Sequence, residues 1–224
     1  MDIISCQEFT AICHDTETQT IKFGKTIQQP KVFEKNGDTI IKLFYPKKSR
    51  LSSDRIRPRA MRFYRNVNQL HQSGYTVPRV DKIQFCPELR MYLLYYPKIQ
   101  GRDIRCLAKD GNLDVIRHVA HLLADLHEKG IFYRSIHLEN LLYQPDGKIA
   151  LLDVTDVKFK SAALSWYFRY RNIRHLFNEP LDKDLWQAFG ISNFMKEYYQ
   201  FAKLSPHSRF LLDYLVQQSG SVKK

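Results

Sequence analysis

The stretch Tyr133-Arg134-Ser135-Ile136-His137-Leu138-Glu139-Asn140 decides the fold, together with the short apolar run Leu151-Leu152-Asp153 that follows it. The first stretch ends in the side-chain amide of Asn140, and the second ends in the carboxylate of Asp153. Between them, the turn at 145–147 predicts a hairpin with strands at 141–143 and 149–153. Amide and carboxylate oxygens are ligands that Mg²⁺ accepts in proteins. The pattern therefore predicts a metal site built on a hairpin in the middle of the chain.

A third stretch, Thr39-Ile40-Ile41-Lys42-Leu43-Phe44, places one lysine within an otherwise apolar strand. Phosphoryl transfer needs a lysine on the phosphates, oxygen ligands for Mg²⁺, and usually a carboxylate near the attacking hydroxyl. Taken singly, Lys42, Asn140 and Asp153 have ordinary explanations as an edge-strand lysine, a turn asparagine and a capping aspartate. Their order and spacing favour an ATP and Mg²⁺ site instead.

The pattern of predicted elements changes near Pro97. Before it we predict strands at 31–34 and 39–44, a helix at 58–72, and strands at 79–85 and 90–96. After it we predict a helix at 114–129, the hairpin, and three or four helices interrupted at Pro180, Gly190 and Pro206. The sequence thus predicts an α+β fold with two lobes and a cleft between them. Residues 1–97 form a small β-rich N-lobe with one helix, and residues 98–224 form a compact helical C-lobe.

In order and spacing, residues 30–156 resemble the protein-kinase-like superfamily. The resemblance implies that Lys42 grips the nucleotide phosphates, that Asn140 is the metal-binding asparagine of the catalytic loop, and that Asp153 is the metal-binding aspartate. His137 stands where small-molecule kinases of the aminoglycoside phosphotransferase type also carry histidine. The stretch 126–131 matches the end of the helix that precedes the catalytic loop.

Within that superfamily, the chain looks most similar to the bacterial lipopolysaccharide core kinases, which phosphorylate heptose or Kdo sugars, and to their "toluene tolerance" relatives. This resemblance is carried by the short length and by the stretches 99–103 and 169–176. It implies an ATP- and Mg²⁺-dependent transfer of the γ-phosphate to a sugar hydroxyl.

One departure from the kinase pattern concerns the base. Ser135 stands where the family carries its catalytic aspartate. A serine hydroxyl is no base near neutral pH without an activator, and general-base help contributes about 10²–10⁴ in rate. Asp156, Glu139 and His137 are the nearby candidates for a replacement. The alternative hypothesis is a pseudokinase that binds nucleotide and regulates or scaffolds without turnover.

A second departure concerns the partner of the strand lysine. No acid lies between Arg55 and Val80, and Asn66 occupies the expected position of the helix glutamate. Lys42 must then be held by Asn66, by Asp153 or by the nucleotide itself. The phosphate loop is also poor in glycine, since Gly24 is its only one.

The net charge is +12, and part of it is concentrated in residues 47–65. That basic segment contains one acidic residue, Asp54, and eight cationic residues: Lys47, Lys48, Arg50, Arg55, Arg57, Arg59, Arg62 and Arg65. Such density predicts docking of an anionic glycan such as the lipopolysaccharide core, or of an anionic membrane surface, unless it is simply a solvated helix face. A nucleic-acid module is disfavoured, because no zinc-ligand spacing, helix-turn-helix or RNA-binding aromatic motif accompanies the charge.

The remaining features concern the compartment. The four cysteines show no CxxC pairing, which favours reduced thiols. The N-terminus lacks the features of a signal peptide, and the apolar runs are too short to cross a bilayer. We therefore expect a cytoplasmic protein, with peripheral contact to the inner membrane as a further expectation.

Overall fold

The computed structural model describes residues 1–23, 30–46 and 57–220. The chain divides into two compact units, Met1–Ile99 and Gln100–Lys224. All four cysteines carry free thiols.

The first unit is built on a six-stranded sheet in the order β1-β5-β6-β4-β3-β2. Its neighbouring strands are antiparallel, except that β1 runs parallel to β5. The elements are β1 (Asp2–Ile3), α1 (Cys6–Cys13), β2 (Thr18–Phe23), β3 (Pro30–Lys35), β4 (Thr39–Phe44), α2 (Arg59–Gln72), β5 (Lys82–Cys86) and β6 (Met91–Pro97).

Both faces of this sheet are covered, because side chains along β4 alternate between two apolar layers. Ile41 and Leu43 belong to a buried cluster against which Phe9 of α1 packs. On the other face, Phe44 contacts Phe63 of α2 with ring centroids 5.7 Å apart. The predicted N-lobe helix is α2, and α1 is an additional helix that the sequence analysis did not identify.

The second unit combines short hairpins with helices. Its strands form a three-stranded sheet in the order β10-β9-β7 and a two-stranded sheet of β11 and β8. The elements are β7 (Arg102–Asp103), α3 (Ile104–Lys109), α4 (Val115–Glu128), β8 (Ile131–Tyr133), β9 (Leu141–Tyr143), β10 (Ile149–Leu151), β11 (Val157–Phe159), α5 (Trp166–Phe177), α6 (Lys183–Phe189), α7 (Ile191–Tyr198) and α8 (Pro206–Gly220).

Two glycines of the second unit allow close approach of backbone segments. A Cβ on Gly101 would lie 2.8 Å from the carbonyl oxygen of Tyr143, in the partner strand of the hairpin. Gly130 ends α4 with a φ of 72°, and a Cβ there would collide with the carbonyl oxygens of Ala162 and Lys160. Glycine at these positions therefore lets the chain pack against the hairpin and against the end of α4.

Candidate active site

Three predicted site residues of the second unit, Ser135, His137 and Asn140, lie in the loop between β8 and β9, and the fourth, Asp153, follows β10. A short 3₁₀ turn, Leu138–Asn140, leads into β9. The backbone N–H of Leu152 donates a 2.9 Å hydrogen bond to the carbonyl oxygen of Asn140, which places Asp153 beside that turn. Strand β11 then pairs with β8, and Val157 lies opposite Tyr133. This pairing brings the turn after Asp153 back next to the strand that enters the Ser135 loop.

Asp153 and Asn140 form a donor pair whose chemistry fits Mg²⁺. One carboxylate oxygen of Asp153 accepts a 2.8 Å hydrogen bond from the Thr155 hydroxyl, which fixes the carboxylate in its turn. Asn140 is buried, with 7% of its surface exposed. Mg²⁺ is commonly held by one or two carboxylates together with phosphate oxygens and water. Across the described ranges, no group of three or more His, Cys, Asp and Glu side chains is placed to hold a metal.

Lys42 lies in the first unit, in the middle of β4, opposite Val32 on one side and Leu94 on the other. Its ammonium group is 4.4 Å from the centroid of the Phe63 ring and 5.6 Å from that of Phe44. An aromatic face orients a cation electrostatically without adding a negative charge. Phe63 of α2 thus contacts the lysine with which the helix glutamate of protein kinases would pair.

Replacing Phe63 with leucine is expected to weaken Mg·ATP binding by about 3- to 30-fold, because a cation–π contact is worth roughly 0.5–2 kcal/mol. Phe63→Tyr keeps the ring and should retain the affinity of the parent. Isothermal titration of both variants, with melting temperatures recorded alongside, separates loss of the ring from loss of stability. Equal affinities for Phe63→Leu and Phe63→Tyr would show that the aromatic face does not position Lys42.

The three candidate replacement bases have different surroundings. Glu139 is committed to an ion pair with Arg105 at 2.9 Å, and the same guanidinium contacts the buried Asp182 at 2.5 Å. His137 has its Nδ1 atom 3.1 Å from a carboxylate oxygen of Glu179.

His137 also has a second histidine beside it. The rings of His137 and His175 are 4.7 Å apart, and burial, together with the neighbouring His137, lowers the pKa of His175. Asp156 is half-buried in the turn that follows Asp153. Of the three, His137 is the imidazole, and its Nδ1 is buried without a hydrogen-bond partner among the described residues, although the Glu179 carboxylate lies nearby.

A chain of buried polar groups supports the strand that leads into this loop. Arg169, only 1% exposed, donates to Glu128 at 2.7 Å and to the Tyr198 hydroxyl oxygen at 3.2 Å. His127 lies between Tyr198, at 2.9 Å from Nδ1, and the Asn172 side-chain oxygen, at 3.2 Å from Nε2.

Asn172 completes the chain at β8. Its side chain donates to the carbonyl oxygen of Tyr133 at 2.7 Å and accepts from the Tyr133 N–H at 3.2 Å. Because the Asn172 oxygen only accepts, Nε2 of His127 carries the proton and Nδ1 accepts from the Tyr198 hydroxyl. The stretches 126–131 and 169–176 therefore have a structural role, because His127 and Asn172 together hold β8 in place.

The pH dependence of stability should report this network. Burial, with a contribution from the Arg169 charge, lowers the pKa of His127 to about 3. The unfolded chain binds a proton at this residue near pH 6.5 and the folded chain does not, so stability falls as the pH drops from about 6.5 towards 3. This residue alone contributes a slope approaching ~1.4 kcal/mol per pH unit within that window.

His127→Gln is expected to flatten the slope, and His207→Gln, which changes an exposed histidine of α8, should retain it. Urea unfolding at several pH values between 4.5 and 7 measures the slope. A parental slope in His127→Gln would mean that His127 is not buried in its neutral form.

Two sequence predictions fall wholly or partly outside the described residues. The first is the phosphate-loop glycine, Gly24, which lies outside them. The second is the basic segment, in which the residues outside the described ranges include Lys47, Lys48, Arg50, Asp54 and Arg55. Its described cations are Arg57, which is exposed, and Arg59, Arg62 and Arg65 on α2.

The first unit thus combines a six-stranded sheet with helices α1 and α2, and the second combines helices with short hairpins. Similarity to a solved structure confirms the protein-kinase-like α+β fold predicted from the sequence. The crystal structure of WbdD matches with a TM-score of 0.50 and 15% sequence identity, over 85% of this chain and 48% of that one. A second WbdD structure, with 12% sequence identity to this chain, is described as that of a bifunctional kinase-methyltransferase. The chain thus spans about half the length of the WbdD structure.

Another solved structure is that of a divergent kinase that lacks the glycine-rich loop. That kinase is described as regulating membrane ultrastructure of the Toxoplasma parasitophorous vacuole. It matches with a TM-score of 0.42 and 16% identity, over 82% of this chain and 61% of that one. No protein-family model matches the sequence, and no curated protein matches it. In the described part of the chain, no helix has the length and apolar character required to cross a membrane.

Proposed function

We propose that the protein is an ATP- and Mg²⁺-dependent phosphotransferase that moves the γ-phosphate to a sugar hydroxyl. The observation that supports this most is the backbone hydrogen bond from the N–H of Leu152 to the carbonyl oxygen of Asn140, which joins the turn that carries Asn140 to the segment that carries Asp153. In this proposal Asn140 and Asp153 hold Mg²⁺, which would neutralise the phosphate charge when bound. Lys42, oriented by Phe63, contacts the nucleotide phosphates.

The reaction forms a bond between the sugar oxygen and the γ-phosphorus while the bond from that phosphorus to the β,γ-bridging oxygen breaks. The proton of the sugar hydroxyl must leave during transfer. Ser135 occupies the position of the usual base, and His137 is the proposed replacement because its imidazole lies in the same loop, with a carboxylate oxygen of Glu179 3.1 Å from Nδ1. Histidine is the side chain that most often serves as a general base near neutral pH.

The acceptor in this proposal is an anionic glycan of the lipopolysaccharide-core type. The fold similarity to WbdD, part of which is a kinase by its description, is compatible with this assignment. A protein that phosphorylates such a glycan would act in the cytoplasm and contact an anionic membrane surface peripherally. The basic segment, including Arg57 and Arg65, would supply that contact.

The second candidate function is that of a nucleotide-binding pseudokinase with a regulatory or scaffolding role. Ser135 is the observation that favours it, because the residue supplies no carboxylate where the proton must be taken up. Nucleotide binding through Lys42, Asn140 and Asp153 is common to both candidates. Only turnover separates them.

Incubation with γ-labelled ATP, Mg²⁺ and isolated lipopolysaccharide core tests the proposal. The phosphotransferase transfers label to the core, and His137→Ala should remove that transfer without preventing nucleotide binding. Binding of Mg·ATP without any transfer of label would reject the phosphotransferase and leave the pseudokinase.

A further inference from the structure

A compact cluster of aromatic rings and cations lies on β8, on β11 and the residue that follows it, and on α5 of the second unit. Its rings are Phe132, Tyr167 and Phe168, and its cations are Lys158, Lys160 and Arg171; we refer to these six residues as the aromatic–basic patch. Phe132 and Phe168 meet edge to face with centroids 5.5 Å apart. The Lys160 ammonium lies 5.0 Å from the centroid of Phe168.

Arg171 completes the arrangement of the patch. Its guanidinium is 5.9 Å from the ring centroids of both Phe132 and Tyr167. Lys158 lies opposite Phe132 in the β8–β11 pair. The buried Phe132, only 4% exposed, lies beneath Arg171 and Phe168 and connects the exposed cations and Tyr167 into one cluster.

The positive charge of the patch is not compensated by acids. No Asp or Glu occurs between Asp156 and Glu179 in the sequence. Lys158, Lys160 and Arg171 are all exposed, and no carboxylate of the described residues forms an ion pair with them. The contrast is Arg169, two residues before Arg171, which is buried and paired with Glu128. Cations held over aromatic faces keep their full charge available to a ligand.

We infer that the aromatic–basic patch binds a phosphate group already present on the acceptor oligosaccharide, and this inference rests on the proposed function. Arginine and lysine side chains together form strong charge-assisted hydrogen bonds to phosphate. Tyr167 is 49% exposed, so its ring offers an apolar face to the sugar that carries the phosphate. The acceptor is thus a phosphorylated sugar rather than a neutral one.

The position of the patch supports an acceptor role. Phe132 lies on β8, the strand that enters the Ser135 loop, and Arg134 is exposed directly after that strand. Lys158, which is exposed, pairs with Phe132 across β8 and β11, so a ligand bound at Lys158 is close to the strand that enters the loop where the hydroxyl must react. Exposed aromatic and basic residues also suit single-stranded nucleic acid, but such sites usually span about 4–16 nucleotides. Three cations around one exposed ring suit a single phosphorylated sugar better.

The test is binding of deacylated lipopolysaccharide core oligosaccharide, with its phosphates intact or removed enzymatically, to the full chain. The patch variant is Lys158→Gln, Lys160→Gln and Arg171→Gln. The control variant, Lys109→Gln, Lys183→Gln and Lys196→Gln, removes the same charge from exposed cations elsewhere in the unit. We expect the patch variant to bind the phosphorylated probe about tenfold or more weakly than the parent. The control variant should bind it like the parent, and the dephosphorylated probe should bind the parent weakly.

Equal binding of the phosphorylated probe by the parent and the patch variant would overturn the inference, as would equal binding of the two probes by the parent. Binding of an oligo-uridine probe but of neither oligosaccharide would overturn it in favour of nucleic acid. The Mg·ATP-induced rise in melting temperature, measured on the same proteins, separates the two claims. If the parent shows that rise but fails the oligosaccharide test, only the inference about the patch is lost. If the parent shows no rise, the proposed function is lost.

Discussion

His137→Ala is expected to abolish phosphate transfer, and Ser135→Asp to change its rate little while leaving Mg·ATP affinity nearly unchanged, because the proposed base is His137. A kinase that lacks only its base would instead gain about 100-fold from Ser135→Asp. The comparison is informative because Ser135 lies in a loop fixed on both sides. Strand β8 is held by Asn172, and the 3₁₀ turn with Asn140 is held by Leu152. A carboxylate introduced there would occupy the position from which kinases accept the hydroxyl proton. Initial rates with saturating Mg·ATP measure the effect.

The matched control is Ser135→Asn, which has nearly the same shape as aspartate but cannot accept the proton. It should leave the rate close to that of the parent. If His137 already acts as the base, Ser135→Asp changes the rate little or lowers it, and His137→Ala abolishes transfer. If the protein is a pseudokinase, neither variant gives product. An equal gain in Ser135→Asp and Ser135→Asn would contradict the assignment of position 135 as the site of the base.

Asp153→Asn is expected to lower the affinity for Mg·ATP by about two orders of magnitude, because a metal ligand of this kind contributes several kcal/mol to charge stabilisation. The substitution keeps an oxygen that accepts the hydrogen bond from Thr155, so the turn should remain folded. Isothermal titration with and without Mg²⁺ measures the loss.

The control for this prediction is Asp146→Asn, which removes a carboxylate from the nearby hairpin turn. Asp146 is exposed and pairs with Lys148, so its loss should leave nucleotide affinity unchanged. Parental affinity in Asp153→Asn would show that Asp153 is not the metal ligand, and would remove the support for either candidate function.

Local signals in the sequence explain the elements that were predicted well. Strands β4 and β9 have the predicted bounds, α2 differs from the prediction by one residue at its start, and α4 differs by one residue at each end. Apolar periodicity and helix-ending glycines are signals that lie within a few residues of each other, so they can be recognised without knowledge of the tertiary contacts. Helix α1 also had a local signal, since Ser5 and Glu8 form a capping box, and the sequence analysis overlooked it.

Contacts between distant residues account for what the sequence did not reveal. The ion pair between Arg105 and Asp182 joins α3 to a turn after α5. The sequence around either residue contains no signal that indicates the other as its partner. Phe63 has the helical spacing of a core residue, and only the packing of α2 on β4 shows that its ring also faces Lys42. The same holds for Asn172, whose contact with Tyr133 depends on how α5 packs against β8.

Calorimetric titration of the parent protein with Mg·ATP tests whether the protein binds nucleotide, which both candidate functions require. The account predicts saturable binding at one site, weakened when Mg²⁺ is chelated, and a rise in melting temperature that grows with nucleotide concentration. The absence of both heat and stabilisation at millimolar Mg·ATP would contradict it, and would leave a protein-kinase-like fold without the nucleotide site proposed at Lys42, Asn140 and Asp153.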